Sequence, residues 1–216
     1  MLTKYHRSIT CTALATHFSE AALDEIVAAN LAQDAWIYQL GTKAHYHFDN
    51  NGIAEGLSYI EGLHRTIAAL AEEASRGQAQ RVAFGRLCHA AQDFYAHSNY
   101  VDLWLARNGG LESTIPSEID GLDQALLSHP DLRTGTSVVW RDWIYHFSFA
   151  APLARLIPPR PGSHQAMHLD SPERGPKFAY AVEAAVQRTL YEYNRAANAI
   201  LRVGGKQALV RFTDKA

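Results

Sequence analysis

The chain has 216 residues, 47% apolar and 19% charged, with a formal net charge of −2 when histidine is neutral. That length suits one domain with a sizeable core, and that charge balance argues against general nucleic-acid binding, which rests on a basic surface. Two cysteines, Cys11 and Cys88, make neither a disulfide framework nor a thiolate zinc site, and no apolar run reaches the length of a membrane span.

In chain order the reading is helical almost throughout. "HRSITCTALATHF" forms a first helix with Ile9, Ala13 and Leu14 inward, and "SEAALDEIVAANLAQDAW" a second, with Ser19 as N-cap and Leu23, Ile26, Val27 and Asn30 at helical spacing. "GTKAHYHFDNNG" breaks the pattern and is a loop. "IAEGLSYIEGLHRTIAALAEEASRG" is a long amphipathic helix that stops near Gly77. Residues 81 to 106 form the next helix, and "NGG" ends it.

"SEIDGLDQALLS" reads as a short helix, with Ser117 and Asp120 in capping-box spacing. Pro158, Pro159 and Pro161 close a further segment, and "GSHQAMHLDSPERG" is a loop. The last long helix runs from Lys177 to Arg202, and "KQALVRF" has the alternation of a short terminal strand. The expected class is all-α: a single-domain helical bundle over 1–216, with His-rich loops joining helix ends. The start "MLTKYHRSIT" lacks the basic and apolar regions of a secretory signal, so the expected location is cytoplasmic, with export by a signal-independent route left open.

Histidine is the anomaly, at 11 against 8 Phe and 4 Trp. In "CHAAQDFYAHSNY" His89, Asp93 and His97 recur every fourth residue. They drift only about 40° per step, so they share one face of a helix whose other residues are small or aromatic. Burying unpaired charge is costly, and a metal satisfies all three groups at once. His89 and His97 lie about 12 Å apart along the axis, while zinc–nitrogen bonds are about 2.0–2.1 Å. One ion cannot take both; two ions flanking a bridging Asp93 can.

Other segments offer further ligands: His6, Asp34, "AHYHFDN" with His45, His47 and Asp49, and "SHQAMHLDSP" with His164, His168 and Asp170. Taken singly, each reads more readily as a hydrogen-bonded or solvated residue. His17, His64, His129 and His146 fit no pattern. Glu61 and His64 make one Glu-x-x-His pair where a di-iron or di-manganese bundle needs two. A set of imidazoles and carboxylates without thiolate suits Lewis-acid chemistry.

The order of "HRSIT", "AQD", "HYHFDN" and "HAAQDFYAHSNY" resembles the zinc-dependent phospholipase C and single-strand nuclease superfamily, most of all its heterokaryon-incompatibility protein C (HET-C) branch. The resemblance implies two or three Zn2+ ions at one end of the bundle. Asp34, His47, His89 and Asp93 would hold one, and His6 with the bridging Asp93 another. His97 would hold the third with His168 and Asp170, His164 being a rival.

The expectation that follows is a zinc-dependent phosphodiesterase of phospholipase C type. Its metal-bound water would be oriented by Asp34, and its substrate would be a phospholipid or other phosphodiester, met at a membrane surface. Nucleic acid is the less favoured substrate. Tyr46, Phe48, Phe94, Tyr95, Tyr100 and Trp104 would either line an apolar rim or pack the core. A non-hydrolytic HET-C-like recognition or toxicity protein with structural zinc is the alternative.

Overall fold

A computed structural model describes residues 1–34, 46–136 and 167–215. It is all-α. Helix α1 spans Thr3–Leu14 and α2 Glu20–Leu31, followed by a 3-10 turn at Ala32–Asp34. Helix α3 spans Ile53–Ala69, α4 Gly77–His97, α5 Tyr100–Arg107, α6 Gln124–Leu127 and α7 Lys177–Thr213. Among the described residues there is no strand, and no helix is long and apolar enough to cross a membrane.

Helix α4 is the axis, packing against α2, α3 and α7, while α1 lies against α2 and α7. The sequence explains the arrangement. On α3 the buried positions Gly56, Ile60, His64 and Ile67 recur every three or four residues, giving one inward face. On α4 every residue from Leu87 to His97 is buried, because neighbours enclose it all round. Ser19 caps α2 as expected, its Oγ accepting from the Ala22 N–H at 3.1 Å.

Gly85 sets the α2–α4 spacing. A Cβ there would strike the Ile26 carbonyl oxygen and come within 2.7 Å of the Ala29 Cβ. One turn beyond this close approach, Asn30 of α2 meets His89 of α4.

Three sequence expectations need correcting. The helix expected over 81–106 is two helices. The chain leaves α4 at Ser98, which is extended (φ −104°, ψ 168°) and bridges to Thr134. Asn99 completes the break: its backbone N–H reaches the Arg133 carbonyl and its side chain bonds Asp131 and Arg133. "SEIDGLDQALLS" yields a 3-10 turn at Pro116–Glu118 and only a four-residue helix, capped by Asp123 rather than through Ser117.

"KQALVRF" is helix, not strand. Gly205, at φ 69° and ψ −169°, kinks α7, and the last turns bring Phe212 to 5.1 Å from Phe18 and 5.5 Å from Phe84, ring to ring. Burying a phenylalanine is worth ~1.5–3 kcal/mol. That outweighs a local preference for strand. The expectations placed on His45, His146, His164 and Pro158 to Pro161 lie outside the described residues.

Candidate metal centre

The site forms where four segments meet the C-terminal half of α4. His6 comes from α1, Asp34 from the 3-10 turn after α2, and His47 from the turn before α3. His89, Asp93 and His97 lie on α4, and His168 and Asp170 come from the segment before α7. His6, His89, Asp93, His97 and His47 are all buried.

Asp93 is the hub. Its Oδ1 lies 3.2 Å from His6 Nε2 and 3.9 Å from His97 Nε2; its Oδ2 lies 2.8 Å from His47 Nδ1 and 3.1 Å from His89 Nε2. The Met1 ammonium donates to Asp93 Oδ1 at 2.6 Å and sits 3.0 Å from Asp170 Oδ1. Asp170 Oδ1 is also 3.2 Å from His97 Nε2, and His168 Nε2 is 3.7 Å from Asp170 Oδ2. Asp34 Oδ1 is 3.7 Å from His89 Nε2, and Asp34 Oδ2 accepts from the Thr3 hydroxyl at 3.2 Å.

Two ligand sets emerge among the described residues: His6, His89 and Asp93; and Asp34, His47 and His89. Within each set one ligand atom per residue lies within 4.8 Å of the others. Tetrahedral zinc with bonds of 2.0–2.1 Å has ligand–ligand edges of roughly 3.3 Å. The contacts of 3.1–3.7 Å around His89 fall in that range. The grouping differs in detail from the expected one: His6 meets His89 as well as Asp93, its ring stacked on that of His89 at 4.3 Å. His97, Asp170 and His168 form a looser third cluster.

A network missed by sequence reasoning sets the imidazole tautomers. Gln92 Oε1 accepts from His6 Nδ1–H at 2.7 Å and from the Asn30 amide at 3.1 Å. The Gln92 amide donates to the hydroxyls of Thr10 and Thr189. Asn30 Oδ1 accepts from His89 Nδ1–H at 3.2 Å, and the His47 carbonyl accepts from His97 Nδ1–H at 2.8 Å. With Nδ1 carrying the proton, Nε2 of His6 and of His89 presents a lone pair toward Asp93. Metal-ligating imidazoles are oriented in this way by their other ring nitrogen.

The fit to a cation is visible in what remains unpaired. Among the described residues His6 Nε2, beside the Asp93 carboxylate, is buried without a hydrogen-bond partner. Such groups are rare in folded proteins, and each costs ~1–3 kcal/mol. A divalent ion bound through nitrogen removes that cost.

Electrostatics agree. Burial, with the neighbouring charges of His6 and His47, pushes His89 down to about 3 despite Asp93, so its ring is neutral at pH 7. Burial would raise Asp93, but the Met1 ammonium, His97, His89 and His6 hold it well below the usual carboxylate range. Burial, then the Asp93 charge, raises Asp34. Burial and the Met1 ammonium would lower His97, yet Asp93, Asp170 and Asp49 raise it to about 9.

The turn carrying His47 is held by Phe48, which adopts a left-handed conformation at φ 56°. Its ring is fully buried over Gly56, where a Cβ would approach to 2.6 Å, and meets Phe94 edge-on at 5.2 Å. Phe94, Tyr95, Tyr100 and Trp104 are buried as well, so these aromatics pack the core and form no rim. Glu61 pairs with Arg195 at 2.7 Å and His64 with Glu192 at 2.6 Å, so the Glu-x-x-His pair serves ion pairs.

Residues 3–108, just under half of the chain, match the family model described as the VWA7 N-terminal domain. Von Willebrand factor A domain-containing protein 7 of Rattus norvegicus is 37% identical over 83 residues, which are 38% of this chain and 9% of that protein. The Mus musculus and Homo sapiens proteins of that name are each 36% identical over 83 residues, again 38% of this chain and 9% of theirs. No solved structure matches.

These findings overturn the resemblance to the zinc phospholipase C and nuclease superfamily and to its HET-C branch. "HRSIT", "AQD", "HYHFDN" and "HAAQDFYAHSNY" all lie within the residues that the VWA7 model matches. With the resemblance go the phosphodiesterase activity, the nuclease and HET-C alternatives, and the phospholipid or phosphodiester partner. The physical reason is that ligand spacing specifies which side chains converge, and a convergent set of donors does not specify a reaction. What the chain is similar to, over its N-terminal half, is the VWA7 N-terminal domain.

Proposed function

We propose that this chain is a metal-binding helical module, holding zinc or a comparable divalent ion in one of the two ligand sets that share the free nitrogen of His89. The observation that carries the reading is His6 Nε2, a buried lone pair 3.2 Å from Asp93 Oδ1 with no hydrogen bond between them. The Met1 ammonium meets Asp93 Oδ1 at 2.6 Å but leaves His6 Nε2 without a partner, and a metal cation seated between the two would take up that lone pair. The donor set of imidazole and carboxylate suits zinc, and also iron, manganese or nickel.

The bound ion joins segments far apart in sequence: α1 through His6 to α4 through His89 and Asp93 in one set, or the turn after α2 through Asp34 and the turn before α3 through His47 to α4 through His89 in the other. A structural metal contributes its binding free energy to folding, so the role of the ion here is to pin one end of the bundle. His97, Asp170 and His168 form a weaker candidate for a further ion. The relatives are named for a von Willebrand factor A domain, and their aligned stretch is 9% of each, so the reading is confined to this helical module.

Metal counting by plasma mass spectrometry, on protein purified without chelator, tests it. One divalent ion per chain, lost in His89→Ala, is expected. Metal-free protein that takes up no zinc on titration defeats the reading.

A further inference from the structure

Away from the metal centre, α3 and α7 enclose a groove of about 740 Å³. His64 and Arg65 of α3 and Arg195, Asn198, Leu201 and Arg202 of α7 line it, and no lining residue among those described is acidic. The α7 residues recur at helical spacing, so one stripe of the helix faces the groove.

The three arginines are not equivalent. Arg195 is already committed to carboxylates, at 2.7 Å to Glu61 Oε1 and 3.2 Å to Glu192 Oε2. Its guanidinium also lies 5.8 Å from the exposed Tyr191 ring. His64 closes the floor, its Nε2 2.6 Å from the buried Glu192, which Arg188 holds from the other side at 2.5 Å. Arg65 and Arg202 are exposed, and neither makes an ion pair or a side-chain hydrogen bond among the described residues. Two guanidiniums, one from each helix, therefore line the same groove.

We propose that this groove binds an acidic peptide segment, with two carboxylates received by Arg65 and Arg202 and an apolar side chain seated on Leu201. The chemistry of each part supports a peptide. Planar guanidinium forks match carboxylates in two-point contacts, and Arg195 already gives one nitrogen to each of the chain's own Glu61 and Glu192. Asn198 offers an amide donor and acceptor suited to a peptide backbone. Leu201, 38% exposed, supplies the apolar anchor beside the charges. The groove exceeds what a lone phosphate fills, and no aromatic side chain lines it to stack a nucleobase. The net charge of −2 also leaves no broad field to gather a polyanion, so recognition is local.

The test is fluorescence anisotropy with a labelled synthetic peptide of about ten residues, glutamate with leucine at every third position, on the full chain. Its counterpart with glutamine for glutamate, and inorganic tripolyphosphate, are the comparison probes. Expected results are saturable binding of the glutamate peptide and binding about tenfold or more weaker for the glutamine peptide. The Arg65→Glu/Arg202→Glu variant should show a similar loss with unchanged circular dichroism, since both side chains are exposed. Arg76→Glu, which reverses an exposed arginine outside the groove, should bind the peptide as the parent does, which keeps this result separate from a general effect of charge. Equal binding of both peptides overturns the proposal, as does an unaffected arginine double variant. So does tripolyphosphate binding without peptide binding, which marks a small-anion site instead.

Discussion

His6 Nε2 stands 3.2 Å from Asp93 Oδ1 and makes no hydrogen bond to it, because His6 Nδ1–H is already given to Gln92 at 2.7 Å. Two lone pairs therefore face one another in a buried space. Asp93→Asn replaces one carboxylate oxygen by an amide and removes the shared negative charge. Metal content measured by mass spectrometry should lose the ion that His6, His89 and Asp93 hold. The thermal midpoint of the parent protein should drop on adding chelator, by an amount corresponding to ~2.7 kcal/mol if the ion is present at a hundredfold over its Kd. A chelator-insensitive midpoint in zinc-loaded protein contradicts the pinning role.

Gln92 and Asn30 touch no ion in this scheme, yet they set which nitrogen of His6 and His89 carries the proton. Asn30→Leu removes the acceptor for His89 Nδ1–H and the donor to Thr10 and Gln92. Loss of such an orienting partner typically weakens metal affinity by about 10–100-fold. Zinc titration against a competing chelator dye should show that loss while the α-helical circular dichroism persists. Unchanged affinity means that the tautomers are set by something other than this pair.

How far the sequence foretold the site depends on whether a residue's partners are local. The stripe of His89, Asp93 and His97 was legible because helical periodicity alone puts the three on one face. The Ser19 cap was legible for the same local reason. Asn30 was placed inward, but its role needs α2 and α4 to touch at Gly85, a tertiary contact that no local pattern encodes. Gln92 sits inside the quoted motif and was passed over, because an amide is not itself a metal ligand. The break at Ser98 carries no Pro or Gly; Asn99 makes it by bonding residues 131 and 133. "KQALVRF" alternates like a strand, yet Ala208 and Phe212 are buried at the i, i+4 spacing of a helix. The family resemblance fails for another reason: its motifs are ligand patterns, and a ligand pattern does not state a reaction.

Gly85→Ala tests the contact that brings Asn30 to His89. The added methyl meets the Ile26 carbonyl and comes within 2.7 Å of the Ala29 Cβ, both on a packed helix, so α2 must move. Overpacking of this kind costs ~1–3 kcal/mol. Urea unfolding should show that loss, and zinc affinity should fall with it as Asn30 is displaced. A variant as stable as the parent would show that the two helices separate freely here.

The His64–Glu192–Arg188 chain predicts an acid limb of stability. Burial alone would raise the Glu192 carboxyl, but the hydrogen bond from His64 and the Arg188 charge bring it down to about 2 from an ordinary 4.5. The unfolded chain thus takes up a proton near pH 4.5 that the folded chain refuses until about pH 2. The stabilisation is fully present above pH 4.5 and is lost as pH falls from there toward 2. Glu192→Gln leaves Arg188 buried without its counter-charge, a change that typically costs ~3–5 kcal/mol at neutral pH. It should also flatten this part of the acid limb, so that parent and variant midpoints converge between pH 4.5 and 2. Thermal melts at half-unit pH steps measure the gap between them. A gap that stays constant across that window would place the acid sensitivity elsewhere, on Asp93 and Asp170, whose carboxyls are likewise held low.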